Sequence, residues 1–338
     1  MALTIGLNRW DWRSPSAFVA SVVEAEALGI DHAFLPVNPL AVSDPYVLMA
    51  LAAQRTSKIR FGPLLETPVL RSPAVAAGSI ATVDAASDGR AMLVYGIGDT
   101  AVRWLGKRPA RLAELERATS ETRALLAGDR LDVGAGAPAW LRHARPVPVW
   151  VASSGPKSLR AAGRSADGVF MRVGTHPANV RAAVDAIRLG EAEAGRRPGE
   201  VSLGLIVHTC RSQEPSDVRA IIRAMAAGFY EYAPALFDAP GFEWNGTPID
   251  ELKEQLWPDF HHAADLVAAG GLVDFLPDEI ADSFAFHGTA ADVADQLGRI
   301  LNEVPEIEIV VPHPVPMPIR GELNNYMRWL GEDLRPRL

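Results

Sequence analysis

The chain has a single cysteine, Cys210, among its 338 residues, so it cannot form a disulfide within itself. That cysteine ends the apolar segment LGLIVHTC, which is typical of a buried structural thiol. Basic residues are also scarce: there are 33 against 41 acidic residues, and no run of five basic residues occurs. This pattern excludes the electrostatic signature of a protein that binds nucleic acid or an anionic membrane. We therefore expect the partner to be a small-molecule substrate.

Targeting signals, long apolar runs and the common hydrolase and kinase motifs are missing as well. The first residues, MALTIGLNRWDW, do not form a signal peptide, and no stretch approaches about 18 apolar residues, so we expect a cytoplasmic protein. No G-x-S-x-G or Walker sequence occurs, which leaves nucleophilic hydrolysis and phosphoryl transfer without support. The histidines are scattered, and the neighbours His261 and His262 would point about 100° apart on a helix, so we predict no metal site.

The sequence does contain a regular alternation of short β-rich segments with longer helical patterns. This alternation predicts eight β/α units, which favours a closed parallel (β/α)8 barrel, a TIM barrel, of the α/β class. The predicted strands are LTIGLN, DHAFLP, IRFGPLL, RAMLVYGIG, PVPVWVA, GVFMRVG, VSLGLIVH and EIEIVVPH. An open doubly wound sheet is the competing fold, although the units show no reversal of order. A hydrophobic content of 48% suits one large domain over residues 1–338.

Between about residues 228 and 288 the alternation is interrupted by aromatic and proline-bearing segments. A connection of this length inside a compact fold usually carries its own helices and often covers a site. We therefore predict a helical insertion between the seventh and eighth strands that forms part of a lid. Because the insertion is rich in tryptophan and phenylalanine, we expect the substrate pocket beneath it to be apolar and roomy.

The reaction centre of such a barrel lies at the carboxyl ends of its strands. Ser154, Gly155, Pro156 and Lys157 follow the fifth predicted strand, where Pro156 suits the first helical position. The helix terminus adds partial positive charge and Lys157 adds a full one, so we predict a phosphate cradle here. A β-branched residue at position 155 is expected to block the phosphate and to strain the backbone. The alternative is an ordinary serine-capped helix.

Two further strand ends contain paired small residues. Gly174 and Thr175 follow the sixth strand and can supply more donors to the same phosphate. Gly96, Gly98 and Asp99 follow the fourth strand in the segment GIGDTA, which formally fits the dinucleotide pattern G-x-G-x-x-A. We reject that assignment because the segment does not open a βαβ unit and no helix is expected to begin at once. We expect the glycines to admit a flat ring, with Asp99 either aimed into the pocket or solvated in a tight turn.

Four strand-end residues are candidates for proton transfer. Glu66 and Asp99 are the better acid candidates, and His313 and His208 are expected to exchange protons near neutral pH. A hydrogen-bonded structural role remains the alternative for either histidine.

Long parts of the chain resemble the luciferase-like oxidoreductases. They include DPYVLMALAAQRTSKIRFGPLLETPVL, PVPVWVASSGPKSLRAAGRSADGVFMRVG and FAFHGTAADVADQL. Within that superfamily, the Ser-Gly-Pro-Lys loop and the stretch AGRSADG are similar to methylenetetrahydromethanopterin reductase and its relatives, which use the deazaflavin coenzyme F420. Other members are FMN-dependent monooxygenases on the same barrel. The resemblance therefore implies coenzyme F420 as the cofactor, with FMN as the alternative, and commonly a homodimer.

The resemblance also implies site positions. It places a ring across the barrel mouth and a non-prolyl cis peptide at Leu64-Leu65. The residues that it assigns to the cofactor are Leu64, Leu65, Gly96, Gly98, Ser154, Gly155, Pro156, Lys157, Gly174 and Thr175. At the second strand the chain departs from the family: many relatives have Asp-His where this chain has Pro36-Val37-Asn38, so a proton-handling histidine is missing.

Three functions follow as hypotheses. The first is F420-dependent hydride transfer to or from a small organic substrate, with Asp99, Glu66 or His313 handling the proton. The second is an FMN-dependent monooxygenase, and the third is a non-catalytic flavin-binding barrel.

Overall fold

A computed structural model describes residues 3–132, 136–211, 214–316 and 322–338 of the chain. In these residues one sheet of parallel strands is surrounded by helices. The strands are β1 Thr4–Leu7, β2 His32–Leu35, β3 Arg60–Glu66, β4 Leu93–Tyr95, β5 Val149–Ser153, β6 Gly168–Met171, β7 Ser202–Cys210, β8 Ala285–His287 and β9 Ile307–Val315.

Eight of these strands close into a barrel. Their spatial order is β6-β5-β4-β3-β2-β1-β9-β7, and β6 also pairs with β7. The eighth barrel strand is β9, which covers the predicted segment EIEIVVPH and extends beyond it. The predicted (β/α)8 barrel is confirmed, and the open doubly wound alternative is wrong.

The short strand β8 was not predicted from the sequence. It pairs with the upper half of β7, from His208 with Ala285 to Cys210 with His287. The lower half of β7 pairs with β6, while β9 occupies the other edge of β7 along its whole length. β8 therefore extends the sheet above β6 and links the insertion to the barrel rim.

Six of the described α-helices begin at a proline in the loop that follows a strand. Proline suits the first helical turn because it lacks an N–H that would have no partner there. The α-helices are α1 Pro15–Ala27, α2 Pro45–Ala53, α3 Pro73–Ala86, α4 Thr100–Arg103, α5 Leu112–Ala127, α6 Pro156–Ser165, α7 Pro177–Glu193, α8 Pro215–Tyr232, α9 Ile249–Lys253, α10 Leu266–Gly271, α11 Asp278–Asp282, α12 Ala290–Glu303 and α13 Glu322–Arg328. Short 3-10 helices cover Pro234–Phe237 and Arg335–Arg337, and a π-helix covers Trp329–Leu334. None of the helices in the described ranges is long and apolar enough to cross a membrane.

The lower barrel is filled by large apolar side chains that face glycines on neighbouring strands. A Cβ on Gly168 would lie 2.3 Å from the Trp150 ring, and one on Gly204 would lie 2.5 Å from Phe170. The side chains that pack together inside are Phe34, Met92, Val94, Trp150, Phe170, Ile206, Ile309 and Val311. This plug closes the barrel from below, so a ligand enters only from the carboxyl ends of the strands.

The insertion follows α8 and packs on it. Because α8 runs to Tyr232, the predicted insertion boundary at residue 228 falls inside this helix. The aromatic residues of the insertion contact one another: the Tyr230 and Trp244 rings stack at 4.4 Å, and Phe237 stacks on Phe284 at 5.3 Å. The aromatic residues of the insertion thus pack into the main hydrophobic core around the barrel.

Candidate active site at the barrel mouth

The end of β3 forms a bulge beside β4. The peptide bond between Leu64 and Leu65 is cis, which confirms the non-prolyl cis bond implied by the resemblance. The pairing with β4 shifts in register between Leu64 and Glu66. Gly96, directly after β4, lies against the bulge, because a Cβ there would be 2.4 Å from Leu65 Cδ2. The Leu65 side chain therefore occupies the space that a side chain at position 96 would need.

Gly98 needs a glycine for conformational and packing reasons. Its φ is +77°, and a Cβ would lie 2.6 Å from Val102 Cγ2. The expectation that no helix begins at once after this segment is wrong, because α4 starts at Thr100. This helix is a single turn of four residues, and its Val102 side chain packs against Gly98.

Glu66 is fully buried and its carboxylate is bound by three groups. It accepts hydrogen bonds of 2.9 Å from the Tyr46 hydroxyl and from the Thr67 amide, and its Oε2 lies 3.2 Å from Arg71 Nε. Burial raises the pKa of Glu66, although these donors oppose the shift. The structure thus places this predicted catalytic residue in a brace between the bulge and α2.

The predicted phosphate cradle lies at the start of α6. Gly155 precedes the helix with φ −85° and ψ 149°, and no side chain caps the helix there. The first amides of the helix, at Lys157 and Ser158, have no carbonyl one turn earlier within the helix. Lys157 is exposed beside them. The loop therefore offers free donors and positive charge, as a phosphate site requires.

The expected backbone strain from a β-branched residue at position 155 is wrong. The Gly155 backbone is extended, and a Cβ built on it would lie 3.6 Å from Ser158 Oγ, an ordinary contact. A larger residue at position 155 consequently causes no backbone strain. Its only expected effect is to occupy the space in front of the amides.

Gly174 and Thr175 pack against the insertion. A Cβ on Gly174 would lie 2.7 Å from the Ser283 carbonyl oxygen, and its φ is +79°. The Thr175 amide donates to that carbonyl at 2.8 Å, and Thr175 Oγ1 donates to the Asp282 carbonyl at 3.0 Å. These two Thr175 donors are therefore already used. A surface cavity of about 400 Å³ beside Thr175 is lined by the carboxylates Asp282, Asp292 and Asp295, which repel a phosphate.

Asp99 lies at the end of β4 and pairs with Arg103 one helical turn later. The Tyr232 hydroxyl, at the end of α8, lies near the carboxylates of Asp99 and of Asp259 in the insertion. Burial and these two carboxylates raise the pKa of Tyr232. Although burial opposes it, the hydrogen bond with His262 lowers the pKa of Asp259 to about 2. Asp99 thus belongs to a cluster of polar side chains between the barrel rim and the insertion.

His313, at the end of β9, is held between two residues that follow β1. Its Nδ1 lies 2.9 Å from Asn8 Nδ2, and its Nε2 lies 2.8 Å from an Arg9 guanidinium nitrogen. Burial and the charges of Arg9 and Arg172 keep the pKa of His313 well below 6.5. The imidazole is therefore neutral at pH 7.

Arg172, His208 and His261 lie beside Arg9 and His313, and we call these five residues the floor of the barrel mouth. Arg172 NH2 lies 3.3 Å from His208 Nε2 and 3.2 Å from His261 Nδ1. The His208 ring is 4.7 Å from that of His261 and 5.3 Å from that of His313. Burial and the charge of Arg172 hold the pKa values of His208 and His261 well below 6.5. The expectation of an apolar pocket is wrong at this level, where charged and polar groups line the barrel.

The three predicted catalytic residues do not meet in one cluster. Glu66 lies beside the bulge, Asp99 lies at the rim, and His313 lies on the floor. The sequence did not indicate these site positions for Arg9, Arg172, His261 and Tyr232. The alternation of β6 and β7 was the available signal, because Arg172 and His208 each stand two residues beyond an inward-facing apolar side chain.

Within the described residues no cluster of three or more histidine, cysteine, aspartate or glutamate side chains is placed to hold a metal ion. His261 turns toward Arg172, whereas His262 turns toward Asp259. The two neighbours therefore point in different directions, as their spacing predicts.

Comparison with known proteins identifies the family. The model of the luciferase-like monooxygenase family matches residues 6–304. The chain belongs to that family. The predictions of the superfamily and of an oxidoreductase of this kind are thereby confirmed.

Among sequence relatives, the 5,10-methylenetetrahydromethanopterin reductase of Methanolobus tindarius is 26% identical over 309 residues, which cover 86% of this chain and 88% of that protein. Among solved structures, the coenzyme F420-dependent tetrahydromethanopterin reductase of Methanopyrus kandleri has a TM-score of 0.73 at 21% identity, with 99% of each chain covered. The oxygenating component of a Pseudomonas putida diketocamphane monooxygenase, in complex with FMN, has a TM-score of 0.62 at 14% identity, with 100% of this chain and 99% of that chain covered. These structural likenesses show the shared fold.

Proposed function

We propose that this protein is a coenzyme F420-dependent oxidoreductase that transfers hydride to or from a small organic substrate. The observation that carries the proposal is the open amino-terminal end of α6 at the barrel mouth, where free amides and Lys157 form a phosphate cradle. F420 and FMN both present a phosphate to their enzymes. The choice of F420 is supported by the likeness to F420-dependent reductases over nearly the whole chain.

The residues present fit such a cofactor. The open space in front of Gly155 admits a phosphate, and the half-buried Leu64 and Leu65 side chains of the bulge give a ring system an apolar surface beside the polar floor. When bound, the deazaflavin supplies a carbon that accepts or donates hydride. The chain's own part is to hold ring and substrate face to face and to exclude water beneath the insertion.

Proton handling falls to the polar groups around the mouth, since the strand-two histidine of many relatives is absent. His313 is neutral and hydrogen-bonded on both ring nitrogens, so it is poised to hold its neighbours in place. At the rim, the Asp99 carboxylate pairs with Arg103 and lies near the Tyr232 hydroxyl. We propose that Asp99 moves the proton that accompanies hydride transfer.

An FMN-dependent monooxygenase is the second candidate. It is favoured by the likeness in fold to the FMN-bound diketocamphane monooxygenase. The two functions differ in their need for oxygen, because a monooxygenase requires it and hydride transfer does not.

The test is to follow oxidation of the reduced cofactor with a panel of ketones and imines, with and without oxygen. We expect turnover with reduced F420 under anaerobic conditions and no increase when oxygen is admitted. Turnover that needs both reduced FMN and oxygen would favour the monooxygenase.

We also propose that the protein acts in the cytoplasm as a homodimer. An exposed apolar face on α2 and α3 supports the pairing: the exposed fractions are 59% for Val47, 45% for Leu51 and 51% for Val75. Apolar patches of this kind commonly mark protein contacts.

A further inference from the structure

The floor of the barrel mouth contains two arginines without an acidic partner. In the described part of the chain neither Arg9 nor Arg172 forms an ion pair with a carboxylate. Both guanidinium groups donate hydrogen bonds to neutral histidines instead. Burial, together with the charge of Arg172, lowers the pKa of Arg9 to about 10, so both side chains remain cationic at neutral pH. Two like charges in a partly buried site repel each other, and an anion placed between them relieves that cost.

The arginines also determine which nitrogens of the histidines carry protons. A neutral imidazole has one donor and one acceptor, and a guanidinium can only donate. Arg172 therefore makes His208 Nε2 and His261 Nδ1 acceptors. The proton of His261 lies on Nε2, 3.1 Å from the Met225 carbonyl that accepts it. The proton of His208 lies on Nδ1, which is buried and has no partner.

The same logic applies beside β1. Arg9 makes His313 Nε2 an acceptor, so Nδ1 carries the proton and must face an oxygen. The Asn8 side-chain amide must therefore be rotated by 180°, so that its Oδ1 accepts the proton of His313 Nδ1. Its NH2 group then occupies the buried position that has no partner. Arg9 Nε has no partner either. The unused polar atoms of the floor are consequently all donors, and Asn8 and His208 are only 6% and 3% exposed.

The acids nearest to this floor already have partners. Asp259 lies 2.8 Å from His262 Nδ1, and Asp99 pairs with Arg103. The Tyr232 hydroxyl lies near both carboxylates. These three groups face Arg172 from the loop after β4, from α8 and from the insertion, without forming an ion pair with it.

We propose that Arg9 and Arg172, with the free donors of Asn8 and His208, bind an anionic group of the substrate, a carboxylate or a phosphate ester, at the floor of the mouth. This inference rests on the proposed function, because it concerns the substrate of the same site. The substrate's reacting carbon would then be held above its anionic anchor, toward the bulge of β3. The proposal excludes wholly neutral alcohols and ketones as the preferred substrates.

The test uses two anionic probes, benzoate and phenyl phosphate, and the neutral isostere benzamide, in calorimetric titrations of the purified protein. We expect both anions, or one of them, to bind at least tenfold more tightly than benzamide, since charge-assisted hydrogen bonds are the strong ones. The stronger of the two anions identifies the headgroup. Arg9→Gln and Arg172→Gln should each weaken anion binding at least tenfold, while Arg172→Lys should retain part of the affinity.

The matched control is Arg197→Gln, which removes an arginine whose side chain is 90% exposed. It should leave anion affinity unchanged. Equal affinity for benzoate and benzamide, or wild-type anion affinity in both folded glutamine variants, would overturn the proposal. Arginines with a purely structural role would lower the melting temperature on removal without changing anion affinity in the folded protein.

A second set of titrations separates the substrate from the cofactor. We expect the anions to bind with similar affinity when the protein is saturated with coenzyme F420. Competition between the anions and F420 would assign the arginines to the cofactor and overturn this inference while leaving the proposed function intact. A protein that binds the anions but not F420 would refute the proposed function alone.

Discussion

Replacing Gly155 by valine should weaken cofactor binding and leave the fold intact. The structure makes this substitution clean, because the residue has extended backbone geometry and a new Cβ would make only an ordinary 3.6 Å contact with Ser158 Oγ. The two γ-carbons must then lie in front of the amides of Lys157 and Ser158. A phosphate could no longer approach them closely.

The size of the effect follows from the donors that are lost. Each hydrogen bond from an amide to a charged phosphate oxygen contributes about 1.5 to 3 kcal/mol. Losing one or two of them raises the dissociation constant at least tenfold. Lys157→Ala should act in the same direction but less, and its effect should shrink at high salt, because Lys157 is exposed and its charge is screened.

The assay is a fluorescence-quenching titration of coenzyme F420 at low and high ionic strength, after circular dichroism has shown a wild-type fold. Gly298→Val is the matched control, because a Cβ on Gly298 of α12 would meet open space. It should bind F420 like the wild type. Wild-type affinity in the Gly155 variant would place the phosphate elsewhere on the barrel, and the assignment of the cradle would have to be withdrawn.

The remaining predictions concern the bulge, the rim, the floor and the surface. Gly96→Ala should displace Leu65, destabilise the protein by about 1 to 3 kcal/mol in urea unfolding, and weaken F420 binding. Asp99→Asn should cut steady-state turnover on the order of 100-fold while changing F420 affinity little, since acid–base groups typically contribute that much. The buried His208 is neutral in the folded protein and becomes protonated on unfolding below pH 6.5, its ordinary pKa. Stability should therefore fall with pH below 6.5, and His208→Gln should reduce the slope of that fall by about 1.4 kcal/mol per pH unit. Leu51→Glu should give a monomer in light scattering where the wild type gives the proposed dimer.

Three of these variants have a matched control. Gly78→Ala adds the same methyl group where only ordinary contacts exist, and Arg103→Gln removes the ion pair of Asp99 but keeps the carboxylate. Leu189→Glu places the same charge on α7 at a site that is 50% exposed. Unchanged turnover in Asp99→Asn would return Asp99 to a turn-forming role, and an unchanged pH slope in His208→Gln would mean that His208 is protonated in the folded state.

The barrel could be predicted because its units are local. Each strand is a short apolar run and each long helix has its own apolar spacing. Several helices also begin at a proline, as α6 does after β5, so the pattern of each unit is complete within about 30 residues. β8 could not be predicted in this way. Its three residues pair only with the upper half of β7, and nothing in the local segment FAFHG distinguishes them from a loop.

The site was predicted where it depends on backbone and missed where it depends on side chains from distant elements. The helix terminus at Gly155 follows from a strand, a glycine and a proline in sequence. The floor brings together Arg9, Arg172, His208, His261 and His313, which come from four strand ends and the insertion. Their neutral imidazoles and unpaired guanidinium groups arise only when the barrel closes, so no single segment contains that signal.

The proposed use of coenzyme F420 as cofactor is tested most directly by a pair of binding titrations on the purified wild-type protein, with F420 and with FMN, read by fluorescence quenching. We expect F420 to bind more tightly than FMN. Micromolar binding of FMN with no detectable binding of F420 would contradict it.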